Sequence, residues 1–527
     1  MALTNFGTTC GPLHSGTSAL TGGPRTDALA AVLPFVLILI WTAAVRLPFY
    51  RIAFSDEFFF SVIAREWQHG GLPYVDAFDI KPPGLFLIYA IAQSAFGASY
   101  ATIKGMEIAA VACGASILFA MLRPFGAGRL AIWAAALYPV YTLAFDGTAA
   151  VNMLLQLPFV IAAFAAVVAA TGDDATARGR LTGALLAGLA IGSAGMIKQT
   201  AVFEATAAFI MLAVYGARGA RLRMLALFVA GAALPALAFA AYFLAAGHFR
   251  DLFNAVIVLA MRRLDPEVLA GYGPELSGYL TLPGALENSI LRSAAVVFLW
   301  GGAIFTLLRL DLVKPAVPAR LLAIAATWLA CALANAVFGR LLCEYYLLGT
   351  VPPLLILAGA FFCHGLRIAK ARRAIAFWTS IIVGGAILLG IQYRELFALD
   401  PWATTVNRVL TVRAVDAFHK LGFKADDRLL VLNRGMALYT ATGMRPPSPC
   451  FHTTHLLQVF QTPSPDPLGD ALGANPRFIV LADPKVRQLT EIPARIERAQ
   501  DYLAAHYRAA AVVHGGSDSL TIYQFAR

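Results

Sequence analysis

Apolar runs separated by short polar segments dominate the first three quarters of the chain, near 28–45, 106–122, 130–145, 153–170, 181–197, 205–216, 224–246, 294–308, 321–338, 346–365 and 374–392. Such runs can carry helices across a hydrocarbon core of about 30 Å. One further run, Pro82 to Gly97, is short for a span and reads as a helix lying in or re-entering the interface. The first run is too long for a removed leader and lacks a small-residue cleavage site, so it is expected to be a retained anchor. Beyond about Glu395 the pattern changes. Strand-like "RLLVL" (428–432), "RFIVLA" (477–482), "AAAVV" (509–513) and "LTIYQF" (520–525) alternate with helical patterns such as "IPARIERAQDYLAAHY". The expected fold is a polytopic α-helical membrane protein of eleven transmembrane helices, with a large first external loop carrying interfacial helices and a small C-terminal α/β soluble domain. The expected division is 1–394 and 395–527.

Composition agrees. Of 527 residues 59% are hydrophobic and 13% charged, with mean hydropathy +0.70, whereas about a quarter of an ordinary soluble domain is charged. The net charge of +11 does not indicate nucleic acid, because most basic residues sit in short loops rather than in stripes on a soluble domain. Those loops sort by side. Arg123 and Arg129; Arg178 and Arg180; Arg218, Arg221 and Arg223; Arg309, Lys314 and Arg320; and Arg367, Lys370, Arg372 and Arg373 mark the cytoplasmic set. The alternation holds only if 82–97 does not cross. It then puts the N-terminus inside, and the 54–84 stretch, the loops near Asp146, Lys198, 247–293 and 339–345, and the C-terminal region outside.

Lys104, Glu107, Lys198 and Glu204 lie toward the external ends of their runs. Snorkelling explains each singly, but their shared side points to an external polar pocket. The six cysteines show no paired spacing and imply neither a disulfide framework nor a zinc site. His452 and His455 of "FHTTH" read more simply as a loop pair than as metal ligands.

The stretch Phe54 to Gly84, "FSDEFFFSVIAREWQHGGLPYVDAFDIKPPG", concentrates the candidate chemistry. Phe59, Val62, Ile63 and Trp67 recur at helical spacing, with Asp56 and Glu57 in the first turn where the helix dipole favours negative charge. Pro82 and Pro83 exclude helix at Lys81 and hold it on a stiff extended arm. A fixed cation beside carboxylates suits a phosphate, with a carboxylate to take a proton nearby; the plainer alternative is a surface ion pair. Arg262 and Arg263 of "LAMRRLDPE" are further phosphate candidates, or a solvated pair beside Asp265 and Glu267.

The Asp-Glu pair after the first apolar run, "GGLPYVDAFDIKPPG", "GLAIGSAGMIKQTAVF", "FGRLLCEYYLLGTVPPLLILAG" and "DRLLVLNRGMALYTATGMRPP" together resemble the GT-C superfamily of integral-membrane glycosyltransferases, in particular the bacterial branch related to protein O-mannosyltransferases and the lipid A aminoarabinose transferase. The resemblance implies sugar transfer from a polyprenyl-phosphate donor to a glycan, lipid or protein acceptor, by single displacement with inversion, at the outer face of a bacterial inner membrane. It implies Asp56 as base, Glu57 as supporting acid and Lys81 as donor-phosphate ligand; Arg262, Arg263 and Lys198 are candidates for the same phosphate from the residues themselves. Tyr74, Asp76, Asp79, Asp146, Asn152, Glu344 and Tyr345 are the implied acceptor or sugar pocket. Two positions depart from the pattern: Asn152 stands where relatives often carry an acid, and Glu344 where they often carry His. No cofactor follows from the residues, and a divalent metal stays open. The partners implied are the lipid-linked donor, its acceptor and the bilayer, without nucleic acid.

Two other classes compete. A secondary transporter would place charges near the midplane and show internal repeats, and neither is apparent. A membrane-anchored glycan-binding protein would explain the C-terminal region but not the Asp-Glu and Lys-Pro-Pro arrangement.

Overall fold

The computed structural model describes residues 24–125, 128–262, 294–313, 317–338, 344–368, 408–432, 435–456, 462–482, 493–515 and 518–526. Among the described residues ten helices form the apolar bundle: α1 (Pro24–Arg46), α4 (Tyr100–Leu122), α5 (Arg129–Ala144), α6 (Asn152–Ala170), α7 (Ala177–Gly195), α8 (Val202–Tyr215), α9 (Arg221–Ala245), α10 (Ala294–Leu308), α11 (Ala319–Phe338) and α12 (Val351–Ile368). The first loop carries α2 (Ser55–Gln68) and α3 (Pro83–Phe96). Among the described residues six helices are long and apolar enough to cross a membrane: α1, α4, α6, α9, α11 and α12 with its preceding turn. The chain is a multi-pass membrane protein. The run at 374–392 and Arg263 lie outside the described residues.

Small residues let the bundle close. A Cβ on Gly188 of α7 would lie 2.0 Å from the Phe228 carbonyl oxygen of α9, and one on Gly231 of α9 would lie 2.5 Å from that of Leu185. Backbone touches backbone there, the way apolar helices gain contact where no hydrophobic drive separates lipid from protein.

The two ends of the bundle differ in chemistry. At one, Arg320 at the start of α11 donates to Asp173 in the α6–α7 turn and to the Thr171 carbonyl. At the other lie Arg46, the first loop and the turns before α6 and α8. Both ends of α3 belong to this second end. Gly84 abuts Met196, where a Cβ would come within 2.5 Å of the carbonyl oxygen, and Gln68 at the end of α2 donates to Ala90 O and Ser94 Oγ of α3.

The C-terminal segment builds a four-stranded sheet, ordered β1-β2-β4-β3, from β1 (Leu429–Leu432), β2 (Phe478–Ala482), β3 (Tyr507–Gly515) and β4 (Asp518–Phe525). β1 and β2 run parallel with Leu429 opposite Phe478, and β4 is antiparallel to β2 and β3. Alternation sorts the side chains. Leu430, Leu432 and Ile479 pack with Leu468, Leu472 and Leu503, the last from α14 (Pro493–His506). Leu429, Val431, Phe478 and Ile522 share a core with Phe418 of α13 (Arg408–Lys420) and with Phe59, Ile63 and Phe86 of the first loop. The sheet therefore packs onto the loop.

That packing corrects one expectation. α2 is not an interfacial helix with one apolar face: every residue from Glu57 to Glu66 is buried. Arg65 donates to the carbonyls of Tyr439 and Met444, Arg445 pairs with Glu66, and the Phe78 amide donates to Pro449 O. The C-terminal segment covers what the sequence pattern assigned to the membrane surface.

Candidate active site

Asp56 and Glu57 are neighbours on the first turn of α2 but face different surroundings. Glu57 is fully buried. Its carboxylate accepts the Phe54 amide at 3.0 Å, closing the helix N-terminus, and the Ala150 amide at 2.7 Å, fixing the turn before α6. Lys104 stands 4.0 Å away and bonds Glu107 at 2.6 Å, while Arg46 bonds Glu107 at 2.8 Å from the other side. Arg46 also reaches Thr142 Oγ1 and the Gly147 carbonyl, and Lys104 the Thr148 carbonyl. Two cations and two acids thus close a buried network joining α1, α2, α4 and the turn before α6. Burial raises the Glu57 carboxyl to about 7; Lys104 opposes this only partly, being nearer to Glu107.

Asp56 is partly exposed. Phe60 lies one turn on, on the same face of α2, and the Lys81 ammonium sits 5.5 Å from the Phe60 ring centroid. Asp56 and Lys81 therefore share one face. Lys81 is 20% exposed and bonds the buried Asp79 at 3.1 Å, and Asp79 also accepts the Ile80 amide. This is not the surface ion pair that the sequence allowed.

The arm that carries Lys81 is held at several points. Tyr74 adopts a left-handed backbone (φ 73°) and its hydroxyl donates to Lys81 O at 2.8 Å. Gln199 donates to Ile80 O at 2.7 Å and to Val256 O at 3.0 Å, tying the arm to the helical segment Asn254–Leu259 that follows α9. Next to it, Lys198 is buried, with its ammonium against Met153 Sδ and 4.1 Å from the Tyr346 ring centroid.

Several expected pocket residues do other work. Tyr74 is a buried strut of the arm, and Asp76 is exposed and accepts the Leu72 amide at 2.7 Å. Lys104 and Glu107 belong to the buried network, and Glu204 is held by Asn335 at 2.9 Å. Asp146 is half-buried with φ 57°, and Asn152 is buried at the start of α6, its Oδ1 accepting the Met153 amide. The Tyr345 ring packs on Tyr346, and Glu344 begins the 3-10 turn Glu344–Thr350. Arg262 is exposed at the end of the short helix Ala260–Arg262.

Sequence reasoning passed over Arg46 and Gln199. Arg46 had a signal, a cation at the outer end of the first apolar run against the loop charge rule. Gln199 had none, since nothing in "MIKQTAVF" announces two distant carbonyls. His452, read from the sequence as one of a loop pair or a metal ligand, packs at a tilt against Phe59 with ring centroids 4.7 Å apart and feels the charges of Asp56 and Asp79.

No family model and no curated protein sequence matches the chain. Solved structures do. ArnT from Cupriavidus metallidurans bound to undecaprenyl phosphate is similar over 94% of this chain and 98% of its own, at 15% identity and TM-score 0.59. The Archaeoglobus fulgidus oligosaccharyltransferase tethered to an acceptor peptide is similar over 96% of this chain and 75% of its own, at 12% identity and TM-score 0.53. The chain has the GT-C fold. The archaeal oligosaccharyltransferase AglB from Archaeoglobus fulgidus, in complex with an inhibitory peptide and a dolichol-phosphate, is similar over 86% of this chain and 69% of its own, at 12% identity and TM-score 0.50. Within the GT-C fold of this chain, the 54–84 stretch, the turns before α6 and α8 and the loop 444–456 meet at one end of the bundle, and Asp56, Asp79 and Lys81 lie where they meet.

Proposed function

We propose that the chain is a glycosyltransferase that moves a sugar from a polyprenyl-phosphate donor to a glycan, lipid or protein acceptor at the external face of a bacterial inner membrane. The observation that carries this reading is the placement of Asp56 and Lys81 on one face of α2, with Lys81 fixed by its arm. Asp56 removes the proton from the acceptor nucleophile, whose lone pair forms the new bond to the anomeric carbon. The bond from that carbon to the donor phosphate oxygen breaks on the opposite face, so the configuration inverts. Lys81, with Lys198 and Arg262 as further cations, stabilises the charge that grows on the leaving phosphate. Glu57 acts by holding the first turn of α2 rather than by touching substrate. The membrane bundle (1–394) and the C-terminal α/β region (395–527) form two domains facing one site. Likeness to structures holding undecaprenyl phosphate and a dolichol-phosphate supports the class of donor.

The test has two arms. Purified protein should bind undecaprenyl phosphate, and deletion of the gene should remove one sugar mass from an envelope glycolipid, glycan or glycoprotein. Absence of binding together with an unchanged envelope would refute the reading.

A further inference from the structure

The loop 444–456 is held against the first external loop by the Arg65, Arg445 and Phe78 bonds described above, and it ends in His452 and His455. His455 is buried between Phe59 and Phe78, with ring centroids 5.5 and 5.3 Å away, and belongs to the core. His452 differs. It is partly exposed, its ring rests on Phe59, and Asp56 lies one turn before Phe60 on the same helix. Its Nδ1 accepts the Thr454 amide at 3.3 Å and lies 2.7 Å from the Thr454 hydroxyl. A ring nitrogen that accepts an amide proton carries none of its own in the neutral imidazole, so Nε2 bears the hydrogen. Burial lowers the His452 pKa and so favours that neutral form, against the opposing pull of Asp56 and Asp79. Among the described residues no hydrogen bond joins His452 to either carboxylate, although both charges act on it.

We propose that His452, delivered by the C-terminal domain, is a substrate-contacting residue that donates from Nε2 to the oxygen of a hydroxyl acceptor while Asp56 takes that hydroxyl's proton. An acceptor hydroxyl between the two groups would donate to Asp56 and accept from His452, so both of its hydrogen-bonding capacities would be used. The inference deepens the transferase reading and rests on it. It makes the C-terminal domain part of the acceptor site and selects an alcohol as the acceptor group: a sugar, a lipid headgroup or a hydroxyl amino acid.

The experiment compares three full-length variants in membranes of a deletion strain. H452F keeps an aromatic ring on Phe59 but has no donor; H452Q keeps an N–H donor at similar reach but loses the ring; H452A loses both. Transfer is read as mass gain on envelope glycolipids and glycoproteins, and the donor side is read separately as undecaprenyl phosphate binding by each purified variant. The expected result is a 10- to 100-fold loss of transfer (roughly one lost hydrogen bond made in the transition state) in H452F and H452A, partial rescue in H452Q, and unchanged lipid binding throughout. Activity in H452F equal to or above that of H452Q would make His452 a packing residue and overturn the inference. Wild-type protein that neither binds undecaprenyl phosphate nor transfers a sugar would instead overturn the underlying function.

Discussion

Asp56 and Glu57 differ by one methylene and one position, and the fold treats them in opposite ways. Glu57 turns into the bundle, where two amides and the Arg46–Glu107–Lys104 network surround it; Asp56 turns outward to the face that Lys81 shares. The contrast separates two uses of charge in a membrane protein. Inside, acids and cations are matched and hydrogen-bonded, because an unmatched charge there costs several kcal/mol. At the site the charges are held in place with part of their surface open, as a reacting group requires. Both arrangements come from the same helical turn.

The contrast breaks most severely at Asp56. Asp56→Asn is expected to slow transfer by roughly 10²- to 10⁴-fold, the usual worth of a positioned general base, while thermal unfolding and undecaprenyl phosphate binding stay near wild type. Wild-type turnover in this variant would leave Asp56 as a helix-end charge only. Lys81→Ala comes next, with weaker lipid binding and slower chemistry, because the leaving phosphate gains charge in the transition state. Lys81→Arg should rescue only in part, since a guanidinium fork does not reproduce a compact ammonium. Pro82→Ala should lower activity with the charge intact by freeing Lys81 from its extended backbone. Unaltered lipid affinity and turnover in Lys81→Ala would shift the phosphate role to Lys198 or Arg262.

Glu57 should answer to a different measurement. Glu57→Ala leaves the Phe54 and Ala150 amides without their acceptor, and about 3 kcal/mol of stability should be lost, read as a lower unfolding temperature in detergent. The same residue predicts a pH effect of definite sign. Burial holds its carboxyl at about 7, above the usual carboxylate range, so the protonated form is favoured by folding. Its stabilising contribution is full below that range and is lost as pH rises toward 7. Glu57→Gln, which cannot ionise, should flatten the fall in unfolding temperature between about pH 4.5 and 7. An identical slope in both proteins would assign the pH dependence elsewhere.

Much of this was legible in the sequence, for local reasons. Long apolar runs marked the bundle, short ones marked the strands of the C-terminal sheet to within two residues, and Lys81-Pro82-Pro83 marked a stiff arm, because each signal lies in adjacent residues. The role of α2 was not legible. Its helical period is real, but what covers it is residues 437–456, nearly four hundred positions away, and amphipathicity does not say whether lipid or protein meets the apolar face. Likewise, "DE" could not reveal that the second acid is spent on Phe54 and Ala150 while the first is not. Nor could the left-handed Tyr74 be read, since the backbone sign at a tyrosine is set by the turn that it closes.

Tyr74 supplies the gentlest test of the difference between structural and reacting groups. Its ring is buried between Phe86 and Phe243, and its hydroxyl makes one described bond, to the carbonyl of Lys81. Tyr74→Phe keeps the ring and removes that bond, so stability should fall by about 1 kcal/mol, the net worth of one neutral hydrogen bond. If the arm's stiffness comes chiefly from Pro82 and Pro83, undecaprenyl phosphate affinity should change by less than about threefold, within the same energy. If the hydroxyl is what aims Lys81, affinity and turnover should instead fall as far as in Pro82→Ala. The second outcome would move Tyr74 from the packed interior to the positioning of the phosphate ligand, and would show that the boundary between the two charge environments passes through the arm itself.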